Sequence, residues 1–229
     1  MISKKLKKNL KIHAFVQARQ TSSRLPNKIF LKLNSLSVLE NIYLRLNNSK
    51  LLDDIFFLIP SNYKNSFLKK YLKKRKYLTF YGSENNVLDR FYKASNKFKS
   101  DIIVRVTADC PLVDYRLMDT MIKKFLNFKD IDYYSNTIKR SFPKGLDIEI
   151  FSKKSLKIAI RKVNKSFDRE HVTPFIKRNF KSLNFLNDKD LSKLRWTLDT
   201  IEDYNNLNKM FLNKKIKPST SWKRILKRA

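Results

Sequence analysis

Short apolar runs alternating with stretches of helical spacing constrain this chain more than any other feature. Residues 12–18 (IHAFVQA), 55–59, 77–81 and 101–107 (DIIVRVT) read as strands, the second ended by Pro60. Between them Val38, Leu39, Ile42 and Leu46 share one helical face, and residues 62–74 read as a helix with a basic outer face. Val87, Leu88, Phe91 and Phe98 mark another helix, and Leu117, Met118, Met121, Ile122, Phe125 and Leu126 form a clean apolar stripe. This alternation predicts right-handed crossovers and a mostly parallel sheet covered on both faces, an α/β fold. The second half is less regular. Residues 146–151, 183–186 and 195–198 are strand candidates, and helices are expected over 153–163, 169–178 and 201–212.

At 229 residues with 42% hydrophobic residues, the chain fits one domain with a real core. The expected divisions are a basic leader over 1–11, one domain over 12–213, and a basic tail over 214–229 anchored by Trp222 and Ile225. No run of about 18 apolar residues is present to cross a membrane, and no secretory signal is read at the start. A single cysteine makes no internal disulfide, which suits a cytoplasmic setting.

Fifty-one basic and 20 acidic residues give a net charge of +31. Such a charge suits a nucleic-acid binder, yet the lysines are spread over helices that also carry apolar stripes. No RNA-recognition, zinc-finger or basic-zipper signature accompanies them. The expectation is therefore a solvated basic surface with no specific nucleic-acid partner, attracting polyanions non-specifically.

In open α/β sheets, ligands bind beyond the carboxyl ends of the strands. Two segments follow such ends. The first runs over 17–28: Gln17, Ala18, Arg19, Gln20, Thr21, Ser22, Ser23, Arg24, Leu25, Pro26, Asn27 and Lys28. Its hydroxyls, loop amides and three cations suit a triphosphate as well as they suit a solvated basic loop. The second runs over 106–114 (VTADCPLVD). Asp109, just past a buried strand, is placed as a magnesium ligand or a turn residue; Asp114, ahead of a strong helix, reads as an N-cap. Thr200 and Asp203 have capping-box spacing, His13 lies in a core strand, and Cys110 reads as a small core residue.

The motifs QAR-x-x-S-x-RLP-x-K, YGSENNVLDRF, RVTADCPLVD, SNT, GLDIEIF, DREHVTPFI and LRWTLDTIED occur in order over residues 12–212. Together they resemble the SpsF-type cytidylyltransferases, which belong with the acylneuraminate and KDO cytidylyltransferases. The resemblance implies a three-layer α/β/α Rossmann-like nucleotidyltransferase fold, often dimeric. It implies transfer of CMP from CTP to a sugar-type acceptor, such as a nonulosonic or KDO-like acid, with Mg2+. It assigns Arg19, Ser22, Arg24 and Lys28 to the triphosphate, Gln17 and Ala18 to nucleotide binding more generally, Asp109 and Asp199 to the metal, and Asp89 and Arg90 to the neighbourhood of the nucleoside. Asp147, Glu149, Glu170, His171 and Thr173 fall on the acceptor side. A sugar- or alcohol-phosphate or phosphonate acceptor on the same fold remains an alternative, as does a non-catalytic nucleic-acid binder. The family often has glycine where this chain has Asn27 and Ala108, and a glycine turn in place of Asn34, Ser35, Leu36 and Ser37. Loss of glycine narrows the backbone angles, and asparagine tolerates a positive φ better than most residues.

Overall fold

The computed structural model describes residues 10–227, so the basic leader expected over 1–11 lies almost wholly outside the described residues. Along the chain run β1 (Ile12–Gln17), β2 (Lys32–Leu33), β3 (Leu36–Ser37), α1 (Val38–Leu46), β4 (Asp54–Pro60), α2 (Ser66–Lys74), β5 (Thr79–Gly82), α3 (Val87–Lys97) and β6 (Ile102–Thr107). Then follow α4 (Tyr115–Asn127), β7 (Tyr133–Ser135), β8 (Glu149–Ser152), α5 (Lys153–Lys162), α6 (Ser166–His171), α7 (Pro174–Asn179), β9 (Ser182–Asn184), α8 (Ile201–Asn213) and α9 (Trp222–Lys227).

One seven-stranded sheet has the order β5-β4-β1-β6-β8-β7-β9. The first four strands are parallel; β8 is antiparallel to both β6 and β7, and β9 is parallel to β7. Alternation along each strand feeds two separate cores. Ile12, Ala14 and Val16 of β1 pack on one face with α1, α2, α4, α8 and α9, while Phe15 packs on the other with α3, α5 and α7. Each fully buried branched or aromatic side chain of this kind contributes about 1.5–3 kcal/mol. The chain leaves β1 toward β4 and β5, then returns to β6 on the opposite side of β1. Strand order therefore reverses at β1, and the crevice at the carboxyl ends of β1 and β6 is where a ligand fits.

Several second-half elements differ from the sequence expectation. Residues 195–198 form no strand, only a single bridge between Lys144 and Arg195. Gly145 (φ 110°) permits the close approach, since a Cβ there would lie 2.5 Å from the Trp196 carbonyl carbon. The strand expected over 146–151 begins only at Glu149, because the Asn136 side chain pairs with the Leu146 carbonyl (2.8 Å) and the Ile148 N–H (2.9 Å). The helix expected over 169–178 is two helices, broken by Val172 at φ 69° and by Pro174. The hairpin β2–β3 turns through Asn34 (φ 49°) and Ser35 (φ 68°), both with the positive φ that a type I′ turn needs.

The end of the chain is tied into the first core. Trp222 and Ile225 are buried there. Asp114 caps α4, accepting from the Arg116 N–H (2.8 Å) and the Leu117 N–H (3.2 Å). Its other oxygen accepts from the Trp222 N–H (2.6 Å) and faces Arg45 at 3.8 Å. Arg45, itself buried, donates to the carbonyls of Val113, Lys217 and Thr220. Asp114 is thus more than the cap that its position in sequence suggests. Asp114→Ala is expected to lose about 3 kcal/mol, the scale of a broken buried ion pair rather than of a cap alone. A loss of about 1 kcal/mol or less in the unfolding free energy measured with urea would refute the larger role.

Candidate active site

The loop after β1 is shaped by its backbone. Asn27 takes a left-handed conformation (φ 59°, ψ 15°), which starts a single 3-10 turn over Lys28–Phe30. Asparagine stands this angle without glycine's extra freedom. The loop is pinned at Gln20, whose N–H donates to the Asn65 side chain (2.8 Å) and whose side-chain oxygen accepts from the Leu68 N–H (3.3 Å). The turn aims Lys28 across the crevice. Its ammonium donates to the Leu198 carbonyl (2.7 Å) and to Asp199 Oδ1 (3.0 Å), and lies 3.7 Å from Asp109 Oδ2.

The two aspartates come from distant parts of the chain. Asp109 follows β6, and the Thr107 hydroxyl donates to its Oδ1 (2.5 Å). The Asp109 carbonyl accepts the Leu198 N–H (2.8 Å) and the Thr197 hydroxyl (3.2 Å), which docks residues 195–199 on the end of β6. Asp199 faces Arg24 at 3.3 Å through Oδ1 and Arg195 at 3.2 Å through Oδ2. Burial disfavours its charge, but Lys28, Arg24 and Arg195 outweigh that and hold the carboxyl below its ordinary value. Asp203 accepts two N–H groups of Arg195 (2.6 and 2.8 Å) and the backbone N–H groups of Asp199 (2.8 Å) and Thr200 (3.1 Å), completing the capping box of α8.

Asp109 and Asp199 therefore converge on one cation. Among the described residues, no group of three or more His, Cys, Asp or Glu side chains converges as a metal site. Two carboxylates are the donor set that Mg2+ takes when substrate phosphates and water complete the octahedron, so the residues present fit that ion.

These groups line an open cleft of about 270 Å³, together with Gln17, Ala18, Arg19 and Ser22 of the β1 loop. Glu170 and His171 at the end of α6 also border it. Asp89 and Arg90 do not. Asp89 pairs with Lys93 (2.9 Å), and Arg90 is buried beneath the cleft, donating to the Ser83 carbonyl (2.9 Å) with its Nε unpartnered. Burial, then the nearby Arg19, pull the Arg90 pKa down to about 10. Cys110 is buried, which pushes its thiol up and disqualifies it as a nucleophile.

Asp147 and Glu149 line a second cavity of about 240 Å³, with Arg105, Thr107, Thr137 and Arg140. Arg140 forms a two-pronged pair with Asp147 (2.6 and 2.8 Å). Glu149 accepts from the Tyr133 hydroxyl (2.6 Å), the Thr173 hydroxyl (2.6 Å) and Arg105. The break at Val172 is what turns Thr173 toward Glu149 while leaving His171 at the cleft. Sequence reasoning passed over Arg105, Thr107 and Glu84, all of which border the cleft. A signal was present for Arg105, since a charged residue interrupts an otherwise apolar central strand.

Comparison with known proteins bears on the family and the fold. The family model described as Cytidylyltransferase matches residues 13–221. An uncharacterised protein of Methanocaldococcus jannaschii is 36% identical over 200 residues, covering 85% of this chain and 81% of the relative. The spore coat polysaccharide biosynthesis protein SpsF of Bacillus subtilis is 31% identical over 219 residues, covering 90% and 88%. A solved cytidylyltransferase from Leptospira borgpetersenii superposes with a TM-score of 0.91 at 33% identity, covering 96% of this chain and 93% of that one.

The Arg195–Asp203 pair gives a pH test. Hydrogen bonding to Arg195 is the chief cause that lowers the Asp203 pKa from 3.8 to about 2. A depressed carboxyl contributes stability that is present above its unfolded value and is lost as the pH falls through its folded value. Asp203→Asn is expected to lower stability by about 2 kcal/mol at pH 7, discounted for the half-exposed arginine. The gap between variant and parent should narrow as the pH falls below 3.8 toward about 2. Thermal midpoints at pH 7, 4 and 3 measure this, and a constant gap would refute it.

Proposed function

The chain belongs to the cytidylyltransferase family, and on that premise we propose that it transfers CMP from CTP to a hydroxyl of a sugar-type acceptor, with Mg2+ and release of pyrophosphate, in the making of a surface polysaccharide. The observation that carries this reading is the meeting of Lys28 and Arg24 with Asp109 and Asp199 at the ends of β1 and β6.

Asp109 and Asp199 would hold the metal. When bound, Mg2+ supplies Lewis acidity to phosphate oxygens and neutralises charge that develops on them. Arg19, Arg24 and Lys28 bind the β- and γ-phosphates and stabilise pyrophosphate as it leaves. For Lys28 this means exchanging carboxylate partners for phosphate oxygens, a move that its long stem and its single anchor at the Leu198 carbonyl allow. Ser22 and the amides around Ala18 add neutral donors. Buried Arg90 fixes the Ser83 carbonyl on the nucleoside side. Asp147 and Glu149, each already holding an arginine, shape the acceptor side without a free carboxylate to act as base. The name of the Bacillus subtilis relative supports placing the product in polysaccharide synthesis.

Thermal shifts with CTP, UTP, ATP and GTP, each with and without Mg2+, test the reading. Occupancy at a hundred times Kd stabilises by about 2.7 kcal/mol, so CTP with Mg2+ should give the largest shift. Equal shifts for all four that vanish with salt would mean that the +31 charge merely collects anions. Asp109→Asn and Asp199→Asn should each lower turnover about a hundredfold while the protein stays folded. Wild-type pyrophosphate release from both variants at saturating CTP would sink the metal assignment.

A further inference from the structure

Among the described residues, Arg105 is the one cation that borders both the nucleotide cleft and the second cavity. Thr107 shares that position. Both side chains project from the same face of β6, one and two strand repeats before Asp109, so the wall they form is continuous with the metal-side carboxylate. The register puts Arg105 opposite Glu149 of β8 on one side and opposite Phe15 of β1 on the other, with Gln17 opposite Thr107 one pleat further along, so contacts on this face run diagonally from the CTP side to the acceptor side.

The guanidinium is held from both neighbouring strands. It pairs with Glu149, and it donates through another nitrogen to Gln17 Oε1 (2.9 Å). Glu149 is itself fixed by Tyr133 and Thr173. Only 13% of the Arg105 side chain is exposed, and its Nε has no hydrogen-bond partner. A structural ion pair in a β-sheet needs neither this network nor a position between two cavities. Replacing it with apolar residues is often neutral or stabilising, so its presence here is better explained by use than by stability.

We propose that Arg105 is a catalytic residue that binds the non-bridging oxygens of the α-phosphate at the point where acceptor and nucleotide meet. This rests on the cytidylyltransfer reading. In the step, the acceptor hydroxyl oxygen forms a bond to the α-phosphorus, the bond from that phosphorus to the pyrophosphate oxygen breaks, and the hydroxyl proton passes to solvent. Negative charge gathers on the oxygens that Arg105 faces. Because the guanidinium is already oriented by Gln17 and Glu149, it does not have to reorganise when that charge develops.

The division of labour is specific: Arg105 serves the transferred phosphate, and Lys28 serves the leaving pair. Calorimetric titration with CMP and with pyrophosphate, each with Mg2+, separates the two without needing the acceptor. Arg105→Met is expected to weaken CMP binding about tenfold and to leave pyrophosphate binding unchanged, while Lys28→Met does the reverse. Arg105→Lys should fall between parent and Arg105→Met, since it keeps the charge and loses the fork. Arg105→Met leaves Glu149 without its cation, so Arg105→Met combined with Glu149→Gln provides a neutral, foldable version with the same expected loss. Unchanged CMP affinity in both versions, or equal losses for CMP and pyrophosphate, would overturn the proposal. If the parent protein shows no thermal shift with CTP and Mg2+, the cytidylyltransfer reading itself has failed, a result distinct from either.

Discussion

Everything functional in this molecule depends on the parallel pairing of β1 with β6, in which Gln17 stands opposite Thr107. That register places the ends of two strands, 90 residues apart in sequence, side by side with both following loops facing one crevice. A slip of one residue would turn every side chain of a strand to the opposite face. In β6 it would take Ile102, Val104 and Val106 out of one core and Arg105 and Thr107 away from the cleft together. Packing and chemistry are therefore specified by the same pairing, and the two buried cores guard it from both faces.

Acidic residues are scarce in this basic chain, and those with little exposure hold cations in place. Asp114 ties Arg45 to the closing segment, Asp168 accepts two bonds from Arg178, Asp203 holds Arg195, and Glu149 holds Arg105. Asp109 and Asp199 share Lys28. A buried carboxylate in a protein of +31 charge finds partners easily, so most of these pairs are structural. The pair at the cleft differs because its cation is a lysine, a point charge on a flexible stem, which also donates to one carbonyl. Arginine, with its rigid fork, is used where the geometry must stay fixed.

The first half of the fold was legible because burial on both faces of parallel strands leaves short, continuous apolar runs, and because the intervening helices carry clear stripes. The β1 loop, Asp109 and the capping roles of Asp114 and Asp203 were legible for the same reason: each sits at a recognisable boundary. The second half was harder. β7 carries polar and aromatic residues in a run of only three, and residues 195–198 look like a strand yet find partners through one bridge, loop backbone bonds and a side chain. Val172 gave no local sign that it would adopt a positive φ, because that conformation is imposed by burial around it and not by its own preference.

The sequence by itself determined the class of fold, the family of motifs and which side chains were available at strand ends, because periodicity and turn chemistry are local. Only the tertiary structure decided that Lys28 lies between Asp109 and Asp199 and that Arg105 stands between two cavities. Distances between charges from separate strands depend on register and on how each loop is pinned, and no local pattern encodes them.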